Sequence, residues 1–301
     1  MKLKQVGILV VLLTLTVTAI PGCQPEFRPG TYTDDMGRQV EISEVPERIV
    51  SLAPSNTEIL FALGLGDRVV GVTRYCNYPE EAKEREIVGG FASAEVEKII
   101  ALKPDLILAS GTLQKKLVAE LEARGQTVFW IYPQTVDDVL ESFETIGEMT
   151  GSSTAAQRLR KDVEEIIEAV QERVKDIPEQ ERVMVYRIMG LDPVATIGGE
   201  SFQTDVHRLA GGKNIFADTE KNYFELDLEM LLELDPDIIV ICGEDEEAAK
   251  ARIRSQEGWG DLTAVKTDRI VVISCDLVCR PSPRIGQTIE GLAKKFYPER
   301  F

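Results

Sequence analysis

The segment Val96-Glu97-Lys98-Ile99-Ile100-Ala101-Leu102-Lys103-Pro104-Asp105-Leu106-Ile107-Leu108 returns later in the chain as Leu228-Glu229-Met230-Leu231-Leu232-Glu233-Leu234-Asp235-Pro236-Asp237-Ile238-Ile239-Val240. Both read apolar-Glu-x-apolar-apolar-x-Leu-x-Pro-Asp-apolar-Ile-apolar. Each copy predicts a short helix whose apolar stripe packs on a sheet, a proline that stops it, and a Pro-Asp turn into a buried strand. Working outward from the first copy, strands are predicted at 48–52, 69–72, 106–109 and 127–131, alternating with helices at 55–64, 94–102, 114–124 and 135–149. Around the second copy, strands at 182–188, 238–241 and 270–274 alternate with helices at 202–210, 227–234, 246–254 and 283–296. This alternation predicts an α/β fold of two lobes, each with parallel strands and crossover helices.

Between the lobes, Leu159, Val163, Ile166, Ile167, Val170 and Val174 recur at helical spacing in the segment from Ser152 to Asp176. Ser152, Ser153 or Thr154 can cap its start and Pro178 stops it. At ~1.5 Å per residue such a helix rises ~37 Å, enough to cross from one lobe to the other. Its interior holds neither Gly nor Pro, so no hinge or kink site is evident. The predicted organisation is therefore an N-terminal lobe over 36–151, a connecting helix over 152–177 and a C-terminal lobe over 178–301.

Composition narrows the function. The 301 residues carry 34 Lys and Arg against 51 Asp and Glu, a net charge of −17, with 44% hydrophobic and 28% charged residues. That balance is globular, and it offers no general basic surface to neutralise nucleic-acid phosphates. The single histidine, His207, precludes a multi-histidine metal site and leaves only one residue on which a Ser-His-Asp triad could be built. It lies in a predicted helix and reads as structural, with axial metal ligation the remote alternative. No carboxylate pair is placed for acid–base work, so neither a catalytic site nor a resident metal or cofactor is predicted. The glycines of 64–71 lead into a strand rather than a helix and read as a turn, not a dinucleotide loop. Glu244-Asp245-Glu246-Glu247 reads as a solvated helix start.

At the N-terminus, Lys2 and Lys4 precede an apolar run from Val6 to Ile20, closed by Pro21-Gly22-Cys23. A positive start, a short apolar run and a small residue before Cys are the pattern of a lipoprotein signal peptide over 1–22, with Cys23 as the lipidated residue that anchors the chain to a membrane outside the cytoplasm. Residues 23–35, polar with Pro25, Pro29 and Gly30, read as a tether. Cys76, Cys242, Cys275 and Cys279 lack zinc-ribbon spacing. A Cys242–Cys275 disulfide and free buried thiols are both open readings, and Cys76, beside Tyr75, is a remote candidate metal ligand.

The stretch Arg48-Ile49-Val50-Ser51-Leu52-Ala53-Pro54-Ser55-Asn56-Thr57-Glu58, the segment Val70 to Pro79 with Tyr75-Cys76-Asn77-Tyr78-Pro79, and the C-terminal Ser274-Cys275-Asp276-Leu277-Val278-Cys279-Arg280-Pro281-Ser282-Pro283-Arg284-Ile285 resemble the helical-backbone (class III) family of periplasmic substrate-binding proteins, over roughly residues 35–297. The Asn-Tyr-Pro and Arg-Pro-Ser-Pro-Arg segments resemble the cobalamin-binding members. The resemblance implies two Rossmann-like lobes joined by one long connecting helix, with the ligand cleft between them, in a non-enzymatic, extracytoplasmic receptor that takes a corrinoid, cobalamin foremost, as transported ligand and delivers it to an ABC permease dimer with its ATPase subunits. A haem or ferric-siderophore receptor is the alternative within the family, and a metallocluster or chelatase-type enzyme a further one on a similar fold. Carried onto this chain, the ligand-facing positions are Tyr75, Phe91, Tyr223, Asp276 and Arg280, with Ser110 where the similar protein has a tryptophan. Trp130 and Trp259 are assigned to the core. Glu97 and Glu229, equivalent points of the repeat, are the expected docking contacts with permease arginines; the plainer reading is that first-turn glutamates favour the helix dipole by ~0.3–1 kcal/mol.

Overall fold

A computed structural model describes residues 27–301; the predicted signal segment 1–22 and Cys23 lie outside the described residues. The chain opens with an antiparallel hairpin, β1 (Gly30–Thr33) and β2 (Gln39–Ile42). The first lobe follows with β3 (Ile49–Ser51), β4 (Val69–Val72), β5 (Glu86–Ile87), β6 (Leu106–Ala109) and β7 (Val128–Trp130), all parallel in the order β5-β4-β3-β6-β7. Helices α1 (Pro54–Ala62), α2 (Val96–Ala101), α3 (Lys115–Ala123) and α4 (Val136–Thr150) connect or flank these strands. The strand order reverses at β3, so the loops leaving β3 and β6 open a crevice at the carboxyl ends of the strands, where open α/β sheets bind ligands.

Helix α5 (Ser153–Val174) then carries the chain across. The second lobe contains β8 (Met184–Arg187), β9 (Gly190–Leu191), β10 (Val194–Ile197), β11 (Lys213–Asn214), β12 (Tyr223–Glu225), β13 (Ile238–Cys242) and β14 (Ile270–Ile273). Four of these make a parallel sheet in the order β11-β8-β13-β14, and β12-β10-β9 form a small antiparallel sheet that the helix and strand patterns did not predict. Helices α6 (Phe202–Leu209), α7 (Leu228–Leu234), α8 (Glu246–Arg254), α9 (Thr263–Lys266), α10 (Cys275–Val278) and α11 (Ile285–Phe296) complete it.

The internal repeat is a structural repeat. Lys103 and Asp235, which end α2 and α7, both take left-handed φ values of 49° and 37°, and the proline after each blocks any return to helix. The aspartates that follow have one job in each lobe. The Asp105 carboxylate accepts the backbone N–H groups of Glu47 (2.8 Å) and Arg48 (3.0 Å) just before β3, and Asp237 accepts that of Met184 (2.8 Å) at the start of β8. Each Pro-Asp turn thus fixes the neighbouring strand as well as its own.

Thr135 and Asp138 form a reciprocal capping box at the start of α4. Gly151, at φ 72°, ends α4, and at Gly147 an added Cβ would come within 2.5 Å of the Ala156 Cβ, so α4 and α5 lie close together. Val163, Ile167, Val170 and Val174 of α5 are buried in one continuous core that runs from Ile49 of the first lobe to Val185 and Ile289 of the second. Leu159 and Ile166 are half-buried. Ser152 stands at the N-cap position of α5, although its side chain makes no capping bond.

The predicted tether needs correction. Residues 30–35 belong to the folded body: Asp34 is buried, its carboxylate accepting Arg38 Nε (2.8 Å) and Trp130 N (3.2 Å), which pins the hairpin to the rim of the first sheet. The Thr31-Tyr32-Thr33 run hid a strand because it has a single apolar side chain, Tyr32, which packs on the core beside its cross-strand partner Val40, too little alternation to read as a strand. Trp130 and Trp259 are both buried, as expected. No disulfide joins the four described cysteines, so the Cys242–Cys275 bond is absent from this structure. Cys76 is buried in the core against Thr73, 3.3 Å away, and burial pushes its thiol up, away from metal-ligating character. His207 is fully buried, edge-on to Phe296. Burial first, then Arg187, lowers its pKa to about 3, so it is a neutral core residue.

Candidate functional site

A cavity of about 660 Å³ lies between the lobes. From the first lobe, the loop after β3 and the start of α1 contribute Ala53, Pro54 and Ser55, and the loops after β4, β5, β6 and β7 bring Tyr75, Phe91, Ser110 and Tyr132. From the second lobe come Phe202 and Gln203 at the start of α6, Asn222 beside β12, and Cys275, Asp276, Cys279 and Arg280 around α10. Aromatic rings therefore stand on both lobes, interspersed with hydroxyl, amide and thiol groups, the mixed lining expected of a site for a large organic ligand.

Four of the five residues singled out from the sequence, Tyr75, Phe91, Asp276 and Arg280, meet in this wall. Tyr223 does not: it stands on β12, half-exposed, while its neighbour Asn222 takes the lining position. The short antiparallel sheet that carries β12 explains the miss, because strand alternation turns successive side chains to opposite faces. Tyr132, Phe202 and Leu113 were missed. Leu113, 70% exposed at the cavity mouth, is the most exposed large apolar side chain of the described residues.

Arg280 and Asp276 of the cavity wall belong to an ion-pair network that sequence reading did not foresee and whose other charged members, Glu58 and Arg284, line a second cavity of about 670 Å³. Glu58 of α1 is 3% exposed. It accepts Arg280 Nη1 at 3.0 Å, and Arg284 Nε and Nη2 at 2.8 and 2.6 Å. Arg280 also donates to Asn77 Oδ1 (2.8 Å), to the Tyr75 carbonyl (3.2 Å) and to the Asp276 carboxylate, while Asn77 Nδ2 donates to Asp276 Oδ2 at 2.8 Å. Arg284 lies 4.2 Å over the Tyr78 ring. Burial pulls the Arg284 pKa down, but Glu58 more than offsets this and leaves it raised. Arg280 thus has a second role beside its place in the cleft wall: both terminal nitrogens are engaged with the protein, and its bond to Glu58 ties the lobes together. Such a buried pair is stable only because each charge finds several partners.

A second feature is the thiol group of the far wall. Cys242 at the end of β13, and Cys275 and Cys279 at the two ends of α10, share hydrogen bonds around Arg187, whose Nη2 lies 3.4 Å from Cys279 Sγ. Hydrogen bonds from Cys279 and Cys275, with Arg187, outweigh burial and lower Cys242 to about 5, while burial and then the hydrogen bond to Cys242 push Cys275 up to about 12, and the hydrogen bond to Cys242 and then burial push Cys279 upward. The three thiols are coupled, and Arg187 beside them favours the ionised form of Cys242.

On the outer surface, Glu97 and Glu229 occupy the first turns of α2 and α7, both exposed. Glu97 pairs with Arg124 at 3.0 Å; Glu229 has no ion pair among the described residues and is followed by the exposed Met230.

Two parallel-sheet lobes face one another over a cleft and are joined by one helix packed against both, the architecture of a two-lobed binding protein. Residues 49–277 match the model of the periplasmic binding protein family, and the chain belongs to that family. It is 36% identical, over 99% of both chains, to the uncharacterized ABC transporter substrate-binding lipoprotein YvrC of Bacillus subtilis. It is 32% identical to a vitamin B12-binding protein of Vibrio cholerae, covering 81% of this chain and 87% of that one. The crystal structure of the Vibrio cholerae periplasmic vitamin B12-binding protein BtuF superposes with a TM-score of 0.74 at 29% identity, over 84% of this chain and 97% of that one. The periplasmic haem-binding protein RhuT from Roseiflexus, in its apo form, superposes with a TM-score of 0.73 at 26% identity, over 85% and 99%.

Proposed function

We propose that the protein is a lipid-anchored extracytoplasmic receptor that binds a corrinoid, cobalamin foremost, in the interlobe cleft and delivers it to an ABC importer. The observation that carries this reading is the cleft itself: about 660 Å³ of space with Tyr75, Phe91 and Tyr132 on one lobe and Phe202 on the other, beside Ser110, Asn222 and Gln203. Flat aromatic faces suit a corrin and its nucleotide base. Hydroxyl and amide groups suit its peripheral amides, each of which needs both a donor and an acceptor. The likeness to vitamin B12-binding relatives supports the same choice.

Delivery requires a partner that reads both lobes. Glu97 and Glu229 are equivalent points of a pseudo-twofold repeat, and two exposed carboxylates suit bidentate arginine forks on the two permease subunits, with ATPase subunits behind them. Removal of residues 1–22 takes Lys2 and Lys4 away and deepens the net charge to about −19, which favours encounter with a basic periplasmic face. Lipidation at Cys23 supplies the membrane anchor, at the outer cell surface or in the periplasm.

The test is titration of the apo protein with cobalamin, cobinamide, haem and a ferric hydroxamate, followed by absorption and calorimetry. Saturable 1:1 binding of cobalamin and cobinamide, with no Soret shift in the presence of haem, is the expected result. Binding of haem or the hydroxamate in preference to both corrinoids would replace the corrinoid reading with its family alternative.

A further inference from the structure

One turn of the first lobe has an inner and an outer face that both bear on the cleft. Gln114 ends the turn Thr112–Gln114 that follows β6, and it is fully buried. Its side-chain amide bonds to backbone groups, and each bond reaches a different loop. Oε1 accepts the Ser110 N–H at 2.9 Å, and Nε2 donates to the Leu52 carbonyl at 2.8 Å and to the Phe91 carbonyl at 2.9 Å. These are the loops that follow β6, β3 and β5, and each carries a residue of the cavity wall at or beside the bonded group: Ser110, Ala53 and Phe91. A primary amide offers two donors and an acceptor on one arm, so neither a hydroxyl nor a carboxylate could hold all three loops. The same turn packs closely on the wall: at Gly111, whose φ is 72°, an added Cβ would lie 3.1 Å from the Phe91 ring. With Gln114 filling the interior place, Leu113 stands outward at the cavity mouth, 70% exposed, and Tyr75 of the same lobe is 54% exposed. A surface leucine by itself needs no explanation. This one sits on a turn fixed by buried hydrogen bonds, at the rim of a cavity of about 660 Å³. A corrinoid with its amide arms and nucleotide loop is larger than that, so part of it must stand at the mouth.

We propose that this turn is a ligand lip: Leu113 covers an apolar part of the bound corrinoid outside the cavity, and Gln114 is the positioning residue that holds the lip and the three loops in the binding geometry before the ligand arrives. The proposal rests on the corrinoid reading and deepens it, because it adds a contact and a positioning residue to the first lobe. Loops that are already ordered spare the ligand the entropic cost of ordering them. An apolar side chain that lies in water without the ligand, and is covered with it, adds to affinity in proportion to the area covered. The two residues thus act from opposite faces of one turn, one by contact and one by constraint.

The experiment measures the affinity of the full chain and its variants for cyanocobalamin and cobinamide by calorimetry, each well below its own unfolding midpoint. L113S, altered only on the surface, should keep the parent Tm and lose about tenfold in affinity, and L113M should restore it. Q114M keeps the volume and drops all three bonds, and it should lose about tenfold or more while folded. A merely structural glutamine would lower Tm and leave the affinity of the folded protein unchanged. A third measurement uses the unaltered protein and stands whether or not Q114M folds: the Ser110 amide, held by Gln114, should exchange with deuterium as slowly without ligand as with it. A loss below about threefold for L113S, parent affinity in folded Q114M, or Ser110 protection gained only on binding would each overturn the proposal and leave the corrinoid reading standing. L113S that binds as the parent does but no longer stimulates the transporter ATPase would overturn it too, making Leu113 a permease contact. Failure of the unaltered protein to bind either corrinoid would overturn that reading and this proposal with it.

Discussion

Replacing Glu58 by alanine should loosen the whole molecule, and the structure gives the size of the effect. Glu58 accepts one charge-assisted bond from Arg280 and two from Arg284, all across the lobe boundary. Without it, Arg280 keeps Asp276, Asn77 and the Tyr75 carbonyl, whereas Arg284 keeps only the Asp276 carbonyl and the face of Tyr78. The orphaned charge is thus mainly that of Arg284, and breaking a buried pair from one side costs about 3–5 kcal/mol. For a chain of this size that corresponds to a fall in Tm of roughly 6–20 °C. Arg284→Met in the same background removes the orphan, so the double variant should recover about 2 kcal/mol relative to simple addition. Urea unfolding followed by circular dichroism and by tryptophan fluorescence suits the measurement, since Trp130 reports the first lobe and Trp259 the second, and coincident curves establish a single transition. A loss below about 1 kcal/mol for Glu58→Ala, or strict additivity in the double variant, would refute the view that this network ties the lobes.

Further expectations follow from the same geometry. His207 has a folded-state pKa of about 3 against an ordinary 6.5, so the unfolded chain takes up the proton first; its contribution is complete above pH 6.5 and is lost at about 1.4 kcal/mol per unit as pH falls toward 3. The stability advantage of wild type over His207→Phe should therefore shrink between pH 7 and 4.5 in urea melts, and a constant difference would exclude the effect. Tyr75→Ala and Phe91→Ala should each weaken corrinoid binding by ~1–3 kcal/mol in calorimetry; affinity within error of the parent for the double variant would place the ligand elsewhere. Exchanging Glu97 and Glu229 together for alanine should spare corrinoid binding and abolish stimulated ATPase activity of the cognate transporter in proteoliposomes, whereas unchanged stimulation would remove both from docking. Because α5 has no kink site and is buried against both lobes, ligand-free and bound forms should differ by only a small lobe rotation in small-angle scattering; a rotation of tens of degrees would contradict this.

What the sequence determined by itself is whatever local physics can write into a short window. The repeated apolar-Glu-x-apolar-apolar-x-Leu-x-Pro-Asp motif specified a helix, a stop and a buried strand twice over, and the spacing of Val163, Ile167, Val170 and Val174 specified a helix long enough to join two lobes. Those signals lie within a few turns of chain, where periodicity and proline act directly. The first hairpin escaped because its anchor, Asp34 on Trp130, lies 96 residues away in sequence. Tyr223 was placed by resemblance, but the strand register of β10 and β12 gave the cleft to Asn222. Only tertiary structure decided the site's electrostatics. Glu58 meets Arg280 and Arg284 across 222 and 226 residues, and Arg187 meets Cys279 across 92. One visible trace existed, a glutamate set beside the apolar Ile59 and Leu60 of a helix, yet nothing local says which distant cation will pair with it. Burial raises the energy of a lone charge far above its value in water, so the fold must bring a partner from wherever the chain has one. That choice belongs to the assembled lobes.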